Sequence, residues 1–226
     1  MGRAVEVPVT PSVIRWAIDE SGYSVDDLAL GLGVNSATLN DWAAGVSRPT
    51  LTHARKLAAK LHRPFAALLL PAAPEKRPLP VEFRHSAAQR RALNPSERRY
   101  LRRAARFQEV LGWLVRELEI EMPRTPLASL NDDPVSIAAQ VRRVLAITTA
   151  SQKNWSTPSV AFDGWRASLE ASGHLVFLFS LGSDSSQGFS LWNDFAPVVA
   201  VNSAWNEAAR IFTLSNSLGL YFSSKS

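Results

Sequence analysis

The segment from Tyr23 to Gly45, YSVDDLALGLGVNSATLNDWAAG, most strongly constrains how this chain can fold. Its pattern of apolar residues predicts two short helices joined by a tight turn. Ser24 is a favourable N-cap for the first helix, and two aspartates follow it in the first turn. Gly33 ends that helix because glycine tolerates positive φ. The second helix then begins at Asn35 or Ser36.

The second predicted helix has an apolar and a polar side. Leu39 and Trp42 lie three residues apart and are expected to face inward. A helix, a glycine turn and a second helix with small polar residues is the pattern that places a recognition helix in the DNA major groove. An αα-hairpin that only packs is the alternative. The side chains predicted to read base edges are Asn35, Ser36, Ala37, Thr38 and Asn40.

Composition excludes several classes of protein. Hydrophobic residues make up 46% of the 226 positions and charged residues 20%, which is typical of a globular protein of one or two domains. The absence of cysteine excludes disulfides, thiolate metal sites and cysteine nucleophiles. The N-terminus lacks an apolar signal core, and no run reaches the roughly 20 apolar residues of a membrane span. We therefore expect a cytoplasmic protein that does not contact membranes.

Positive charge is concentrated in one half of the chain. Through Arg124 there are 19 Lys and Arg residues against 13 Asp and Glu, whereas from Thr125 onward there are 6 against 7. All of the net charge of +5 thus comes from the half that contains the predicted helix pair. Such a distribution favours a polyanionic partner. Phosphate contacts are predicted for Arg15, Ser24 and Arg48.

The N-terminal part resembles a known family. The run SVDDLALGLGVNSATLNDWAAGVSRPTLTHARKLAAKLHRPFAALL is similar to the lambda-repressor-like helix-turn-helix domain of the XRE family, and the resemblance covers residues 11 to 70. It rests on the spacing of the Gly-Val turn, the Trp-x-x-Gly end and the Pro-Thr restart. Val25 departs from the glutamine that many relatives carry there. The resemblance implies a five-helix bundle that binds double-stranded DNA.

A basic helix is predicted after a proline-rich linker. Residues 71–84, PAAPEKRPLPVEFR, read as a semi-rigid linker. The following helix, capped by Ser96, carries an apolar stripe of Tyr100, Phe107, Val110, Leu111, Leu114 and Leu118. An arginine run is either a solvated face or a second, sequence-independent phosphate surface. The arginines in question are Arg90, Arg91, Arg98, Arg99, Arg102, Arg103 and Arg106.

The fold class that follows is mainly α with a small α+β C-terminal domain. Beyond residue 125, two helices, three strands and a final amphipathic helix are predicted in that order. The predicted domains are a helix-turn-helix domain at 1–70, a linker with the arginine-rich helix at 71–124, and the α+β domain at 125–226. The three strands are HLVFLFS, GFSLWN and APVVAVN, with a hairpin at Asp194 between the last two.

The C-terminal segment also resembles a family. GFSLWNDFAPVVAVNSAWNEAARIFTLSNSLGLYF is similar to the core of the ImmA/IrrE-type zinc metallopeptidase domain. That family's final helix carries H-E-x-x-H, in which two imidazoles hold zinc and the glutamate acts as base. Here Asn216 and Leu220 replace the histidines and Ser217 replaces the glutamate. Only six residues follow, so no third ligand is expected downstream. The expectation is a degenerate pseudo-metallopeptidase without metal, cofactor or catalysis.

These observations predict a sequence-specific transcriptional regulator, a repressor that acts by occupying its operator. A phage-immunity or autoregulatory role would fit the two resemblances. A dimer bound to a near-palindrome and a monomer bound to one asymmetric site both remain open. The alternative function is that of an antitoxin-like interaction module, which neutralises a protein partner through its C-terminal domain and uses the helix-turn-helix for autoregulation.

Overall fold

The computed structural model of the 226-residue chain describes residues 5–75, 79, 81–84, 92–122 and 132–223, with the side chains of 82 and 218–223 excepted. The chain divides into two compact units. The first comprises Met1–Pro78 with Ala92–Arg99, and the second comprises Leu79–Arg91 with Tyr100–Ser226. None of the helices in the described ranges is both long and apolar enough to cross a bilayer.

The first unit is a bundle of short helices. Its α-helices are α1 (Pro11–Asp19), α2 (Val25–Leu32), α3 (Ser36–Ala44) and α4 (Leu51–Lys60). The sequence predicts a fifth α-helix, but the structure has a 3₁₀ helix at Phe65–Leu69. Pro64 and Pro71 bracket this segment, so too few residues are available for i→i−4 bonds to propagate.

The core of the first unit lies between α1, α2, α3 and α4. Leu39 and Trp42 of α3 are buried, as their spacing predicts. They pack in one cluster with Ile14 of α1, Leu28 of α2 and Leu57 of α4. The chain ahead of α1 joins the same cluster through two buried valines, and a backbone bridge pairs Glu6 with Thr50. The helix pair is therefore held by contacts from the rest of the unit.

The long helix α5 spans Pro95–Glu117. Its cap is Asn94 and not Ser96, the residue predicted from the sequence. The backbone N–H of Glu97 donates to Asn94 Oδ1 at 2.9 Å, and the backbone N–H of Asn94 donates to Glu97 Oε2 at 2.9 Å. This reciprocal capping box leaves Pro95 at the first helical position, where the missing N–H costs nothing.

The second unit is built on one mixed sheet. Its strands are β1 (Val81–Arg84), β2 (Leu175–Phe179), β3 (Gly188–Leu191) and β4 (Val198–Asn202), in the spatial order β1-β3-β4-β2. The pairs β1/β3 and β3/β4 are antiparallel, and β2 runs parallel to β4. The sequence predicts three strands and the β3–β4 hairpin. The prediction misses β1, because a four-residue segment among prolines becomes a strand only by pairing with β3.

Helices cover both faces of this sheet. On one face, Val199 and Val201 of β4 cluster with residues of α8 (Pro158–Ala171) and α9 (Glu207–Ser223). On the other face, Val198 and Ala200 cluster with Ala104 of α5. The whole of β4 is buried, as expected of a central strand with both sides covered. Two further helices, α6 (Pro134–Val144) and α7 (Thr149–Lys153), precede α8. The sequence predicts α6 and α8 but not the short α7.

Candidate nucleic-acid interface

The turn between α2 and α3 sets the relation between the two helices. Gly33 adopts a left-handed conformation with φ 74° and ψ 34°, where a residue with a Cβ is strained. Ser24 caps α2, since its Oγ accepts from the backbone N–H of Asp27 at 3.0 Å and donates to Asp27 Oδ2 at 2.7 Å. Both features are predicted from the sequence.

The outer side of α3 carries small side chains. Ala37 and Asn40 are exposed, and Ser36 is partly exposed on the same side of the helix. Asp41 is also exposed on this side, which places an acid beside the predicted base readers. Thr38 has intermediate exposure, as Ser36 has, but lies on the opposite flank of α3, one position before the buried Leu39. The structure therefore brings together Ser36, Ala37 and Asn40 and sets Thr38 apart from them.

Asn35 is the N-cap of α3. Its Oδ1 accepts from the backbone N–H of Thr38 at 2.7 Å, while the side chain stays exposed. One lone pair of the amide oxygen is thus occupied, and the second lone pair and the two N–H groups remain for another partner. A bidentate contact to adenine needs both an acceptor and a donor. Asn35 can therefore donate to a base or phosphate, and in a paired contact it would have to share Oδ1 between the adenine and the cap of α3.

Ser36 is held by Asp26, for which the sequence predicts only a place in the first turn of α2. Its hydroxyl donates to Asp26 Oδ1 on α2. This contact joins the two helices and directs the serine proton away from any ligand. Asp26 is exposed, so it also adds a negative charge beside the N-terminus of α3. Helical periodicity could not reveal the pair because the two residues belong to different helices.

Asn40 and Arg15 line one shallow depression. The cavity measures about 230 Å³ and lies between α1, α2 and α3. Arg15 Nη2 donates to the backbone carbonyl of Ala43 at 3.1 Å, which fixes the guanidinium near the end of α3. The side chain of Arg15 is exposed, as is that of Arg48 in the loop after α3. A predicted base reader and a predicted phosphate ligand thus share one surface.

The helix-turn-helix region is nearly neutral. Between residues 11 and 70 there are six Lys and Arg residues and five Asp and Glu residues. Arg63 lies 4.2 Å from the Trp16 ring centroid, and burial lowers its pKa although Glu20 opposes the change. Lys60 lies 5.2 Å from the Tyr23 ring centroid. Two of the six cations are therefore held against aromatic rings.

The predicted second basic surface is divided among different environments. Arg98 donates to the carbonyls of Leu93 and Asp19, both at 3.3 Å, so its guanidinium helps to hold the first unit together. Arg99, Arg103 and Arg106 are exposed, and Arg102 is partly buried. Arg90 and Arg91 lie outside the described residues. The exposed part of the surface is thus the first half of α5.

The positions of the degenerate metal motif do not fit a zinc ion. Asn216 is exposed, and an amide is a weak zinc ligand. Ser217 is buried and its hydroxyl donates to the carbonyl of Thr213 at 2.9 Å, so it is engaged within α9. The side chain of Leu220 lies outside the described residues, and leucine has no ligand atom. Within the described part of the chain, no three His, Asp or Glu side chains gather as a metal site.

Comparison with known proteins identifies the first unit. Residues 14–68, about a quarter of the chain, match the family model for the helix-turn-helix domain. No curated protein matches the chain, and no solved structure matches it. The chain thus carries a helix-turn-helix domain of the XRE type, which supports a DNA-binding transcription regulator. No match reaches the C-terminal segment, so its likeness to ImmA/IrrE-type peptidases stays a prediction.

Proposed function

Proceeding from this helix-turn-helix domain, we propose that the protein is a sequence-specific repressor that works by occupying its operator. The observation that carries the proposal is the outer side of α3. Ala37 and Asn40 are exposed there, and Asn40 lines one depression together with Arg15. Small side chains let a helix approach base edges, and an asparagine can contact adenine through two hydrogen bonds.

The charges of the domain define what kind of binding to expect. With six cations and five acids between residues 14 and 68, the domain supplies little non-specific attraction. Two of those five acids, Asp26 and Asp41, lie at the α3 surface itself. We therefore expect discrimination between sequences to come from α3 and most of the salt-dependent affinity to come from arginines elsewhere, of which the first half of α5 is our candidate.

Selection from a random duplex pool is the direct test. The full chain should enrich one short motif, and the selected duplex should outcompete a scrambled duplex at moderate salt. A repressor should then reduce transcription from a promoter that contains this motif and leave the scrambled promoter unaffected. Equal retention of all duplexes would overturn the proposal. Selection of the same motif by the Asn40→Ala variant and by the wild type would also overturn it.

An antitoxin-like function is the second proposal. It is supported by the size of the second unit, which has its own sheet and two hydrophobic clusters outside the helix-turn-helix domain. A neighbouring reading frame whose product arrests growth would provide the test. Neutralisation of that product by the Asn40→Ala variant would separate partner binding from DNA binding. Failure of the full chain to neutralise it would overturn this proposal.

We also propose that the second unit has no peptidase activity. The support is the donor set on α9, where a carboxylate base is replaced by Ser217, whose hydroxyl is engaged with Thr213. Hydrolysis of a peptide by a zinc-bound water needs both the side chains that bind the zinc ion and a general base. The full chain incubated with zinc should leave unstructured substrates such as casein intact. Cleavage that chelation abolishes would contradict the proposal.

A further inference from the structure

The packing of α5 leaves its large apolar side chains exposed. The buried centre of the α5 face that contacts the sheet is built from small and polar residues, and the rings of Tyr100 and Phe107 flank it against Phe179 and Phe177. Ala104 is fully buried there, and the buried Gln108 Nε2 donates to the carbonyls of Leu191 and Ala196 at 2.9 and 3.1 Å. In contrast, Phe107 is 42% exposed, Val110 46% and Leu118 63%. The stripe that the sequence predicts therefore lies largely beside the buried centre of that face, with Tyr100 and one side of Phe107 packed on the sheet.

The exposed residues form one continuous stripe along the helix. Positions 103, 107, 110 and the partly exposed 114 are separated by three or four residues, so they line one side of α5, and Leu118 directly follows the end of the helix. Trp113, 54% exposed, borders the stripe. Single exposed apolar residues need no explanation, but an aligned group of this kind marks an interaction surface.

Charge is polarised along the same side of α5. Arg103 and Arg106 are exposed before the apolar centre, and Glu117 is exposed after it. Arg103 also lies 5.9 Å from the Phe107 ring centroid, which places its guanidinium at the edge of the stripe. A surface that is basic at one end, apolar in the middle and acidic at the other is complementary to itself when one copy is reversed.

We propose that α5 pairs antiparallel with α5 of a second copy of this chain. The two-fold axis passes near Val110, which then contacts its own counterpart, as an isologous interface requires. Phe107 packs against Trp113 and Leu114 of the second copy, and Arg103 faces its Glu117. The pairing goes beyond the proposed function because it needs no DNA. It assigns Arg103 and Arg106 to the dimer, and Arg99 and Arg102 precede the paired stretch.

Sedimentation equilibrium of the full chain without DNA tests the pairing. The chain should have about twice its 24.8 kDa mass, and Val110→Asp should raise the dimer dissociation constant at least about tenfold. Val160→Asp is the matched control, since Val160 on α8 is 44% exposed and should leave the constant unchanged. A wild-type chain that stays monomeric at every concentration would overturn the proposal, as would equal effects of the two substitutions.

Charge reversal tests the orientation. Arg103→Glu should weaken the dimer by placing two carboxylates opposite each other, and Arg103→Glu with Glu117→Arg should restore it. In a parallel pair the second change would restore nothing, because each residue would face its own counterpart. An ineffective Arg103→Glu, or a double variant no better than the single one, would overturn the antiparallel arrangement.

Crosslinking provides a readout that does not depend on destabilising the dimer. The chain has no cysteine, so an introduced one can only pair with another copy. Val110→Cys should form a disulfide-linked dimer readily. Glu117→Cys should not, because two positions each seven residues from the axis lie about 21 Å apart along the helices, beyond the roughly 7 Å that a disulfide spans. Efficient crosslinking at Glu117, or none at Val110, would contradict the pairing. Loss of DNA binding would affect neither result, so the two proposals can fail separately.

Discussion

The Oδ1 atom of Asn35 accepts a hydrogen bond from the backbone N–H of Thr38 at 2.7 Å. This bond satisfies one of the free donors at the start of α3, the helix whose outer side is the candidate DNA-reading surface. The same side chain is exposed and keeps two N–H groups for a ligand. Asn35 therefore has a folding role and a proposed binding role that substitutions can separate.

Asn35→Ser should retain the cap and lose the amide, whereas Asn35→Ala should lose both. We expect the alanine variant to lower the free energy of unfolding by about 1 kcal/mol and the serine variant to change it little. Both should weaken binding to the selected duplex. Urea unfolding and a titration against that duplex give the two quantities. If Asn35→Ser binds like the wild type, Asn35 acts only as a cap.

Asn40→Ala tests base reading without disturbing a cap. Asn40 is exposed on α3 and makes no side-chain hydrogen bond to the other described residues. Its replacement should cost about 1–3 kcal/mol at the selected sequence and little on random DNA. Thr52→Ala, an exposed position on α4, serves as the control. Equal losses on both kinds of duplex would indicate a phosphate contact in place of base reading.

The helix caps and the turn of the first unit can be predicted because their signals lie close together in the sequence. Ser24, Asn35 and Gly33 act through neighbours within four residues, so caps and turn can be read from the sequence. The bond from Ser36 to Asp26 spans ten positions and two helices. No periodicity encodes such a pair, although both residues are polar and close to a predicted helix start. The polarity of the site was thus predictable and its internal hydrogen bonds were not.

The second unit shows where sequence patterns mislead. Strands β2, β3 and β4 are apolar runs with clear ends, and the sequence predicts all three. For α5, the apolar stripe only partly matches the packing face. Tyr100 stacks on the sheet, but the buried centre of the face is Ala104 and Gln108, while Phe107 stays half-exposed. Small residues permit close approach of helix to sheet, and apolarity alone does not measure that benefit.

Replacing Arg99 and Arg102 with glutamine tests the remaining second basic surface. Both precede the stretch of α5 assigned to pairing, so the dimer should survive. If each arginine neutralises one phosphate, the slope of log K against log salt should fall by about 1.8 for the pair. Affinity should drop equally for selected and random duplexes. Arg166→Gln, in an ion pair with Glu170 on α8, is the control. An unchanged slope would assign the two arginines to a solvated face.

Gly33 and Gly188 should respond differently to a side chain. Gly33 has positive φ but open space around a Cβ, so Gly33→Ala should cost about 1–2 kcal/mol and Gly33→Asn less. A Cβ on Gly188 would lie 2.3 Å from the carbonyl oxygen of Ala200 and 2.7 Å from Thr213 Cγ2. Gly188→Ala should therefore cost about 3 kcal/mol or more, since β3, β4 and α9 must separate. Urea unfolding measures both, and equal costs would contradict the distinction.

His174 should make the second unit sensitive to acid. Its ring is buried, and Nδ1 lies 3.0 Å from Ser172 Oγ. Burial lowers its pKa from 6.5 to about 4, while hydrogen bonds with the Leu169 and Ser172 backbone act in the opposite direction. Between these values the unfolded chain binds the proton more readily. The stability contributed by neutral His174 is thus complete above pH 6.5 and is lost as the pH falls towards 4, by at most about 3 kcal/mol.

The measurement is the pH dependence of urea unfolding. Because five of the seven tryptophans lie in the second unit, their fluorescence should report its loss between pH 6.5 and 4. His174→Asn should flatten the dependence in this window, whatever it does to stability at neutral pH. His62→Asn is the matched control, since His62 has a φ of 51° that asparagine tolerates and lies in the first unit. The same pH slope in the His174 and His62 variants would show that another group is responsible.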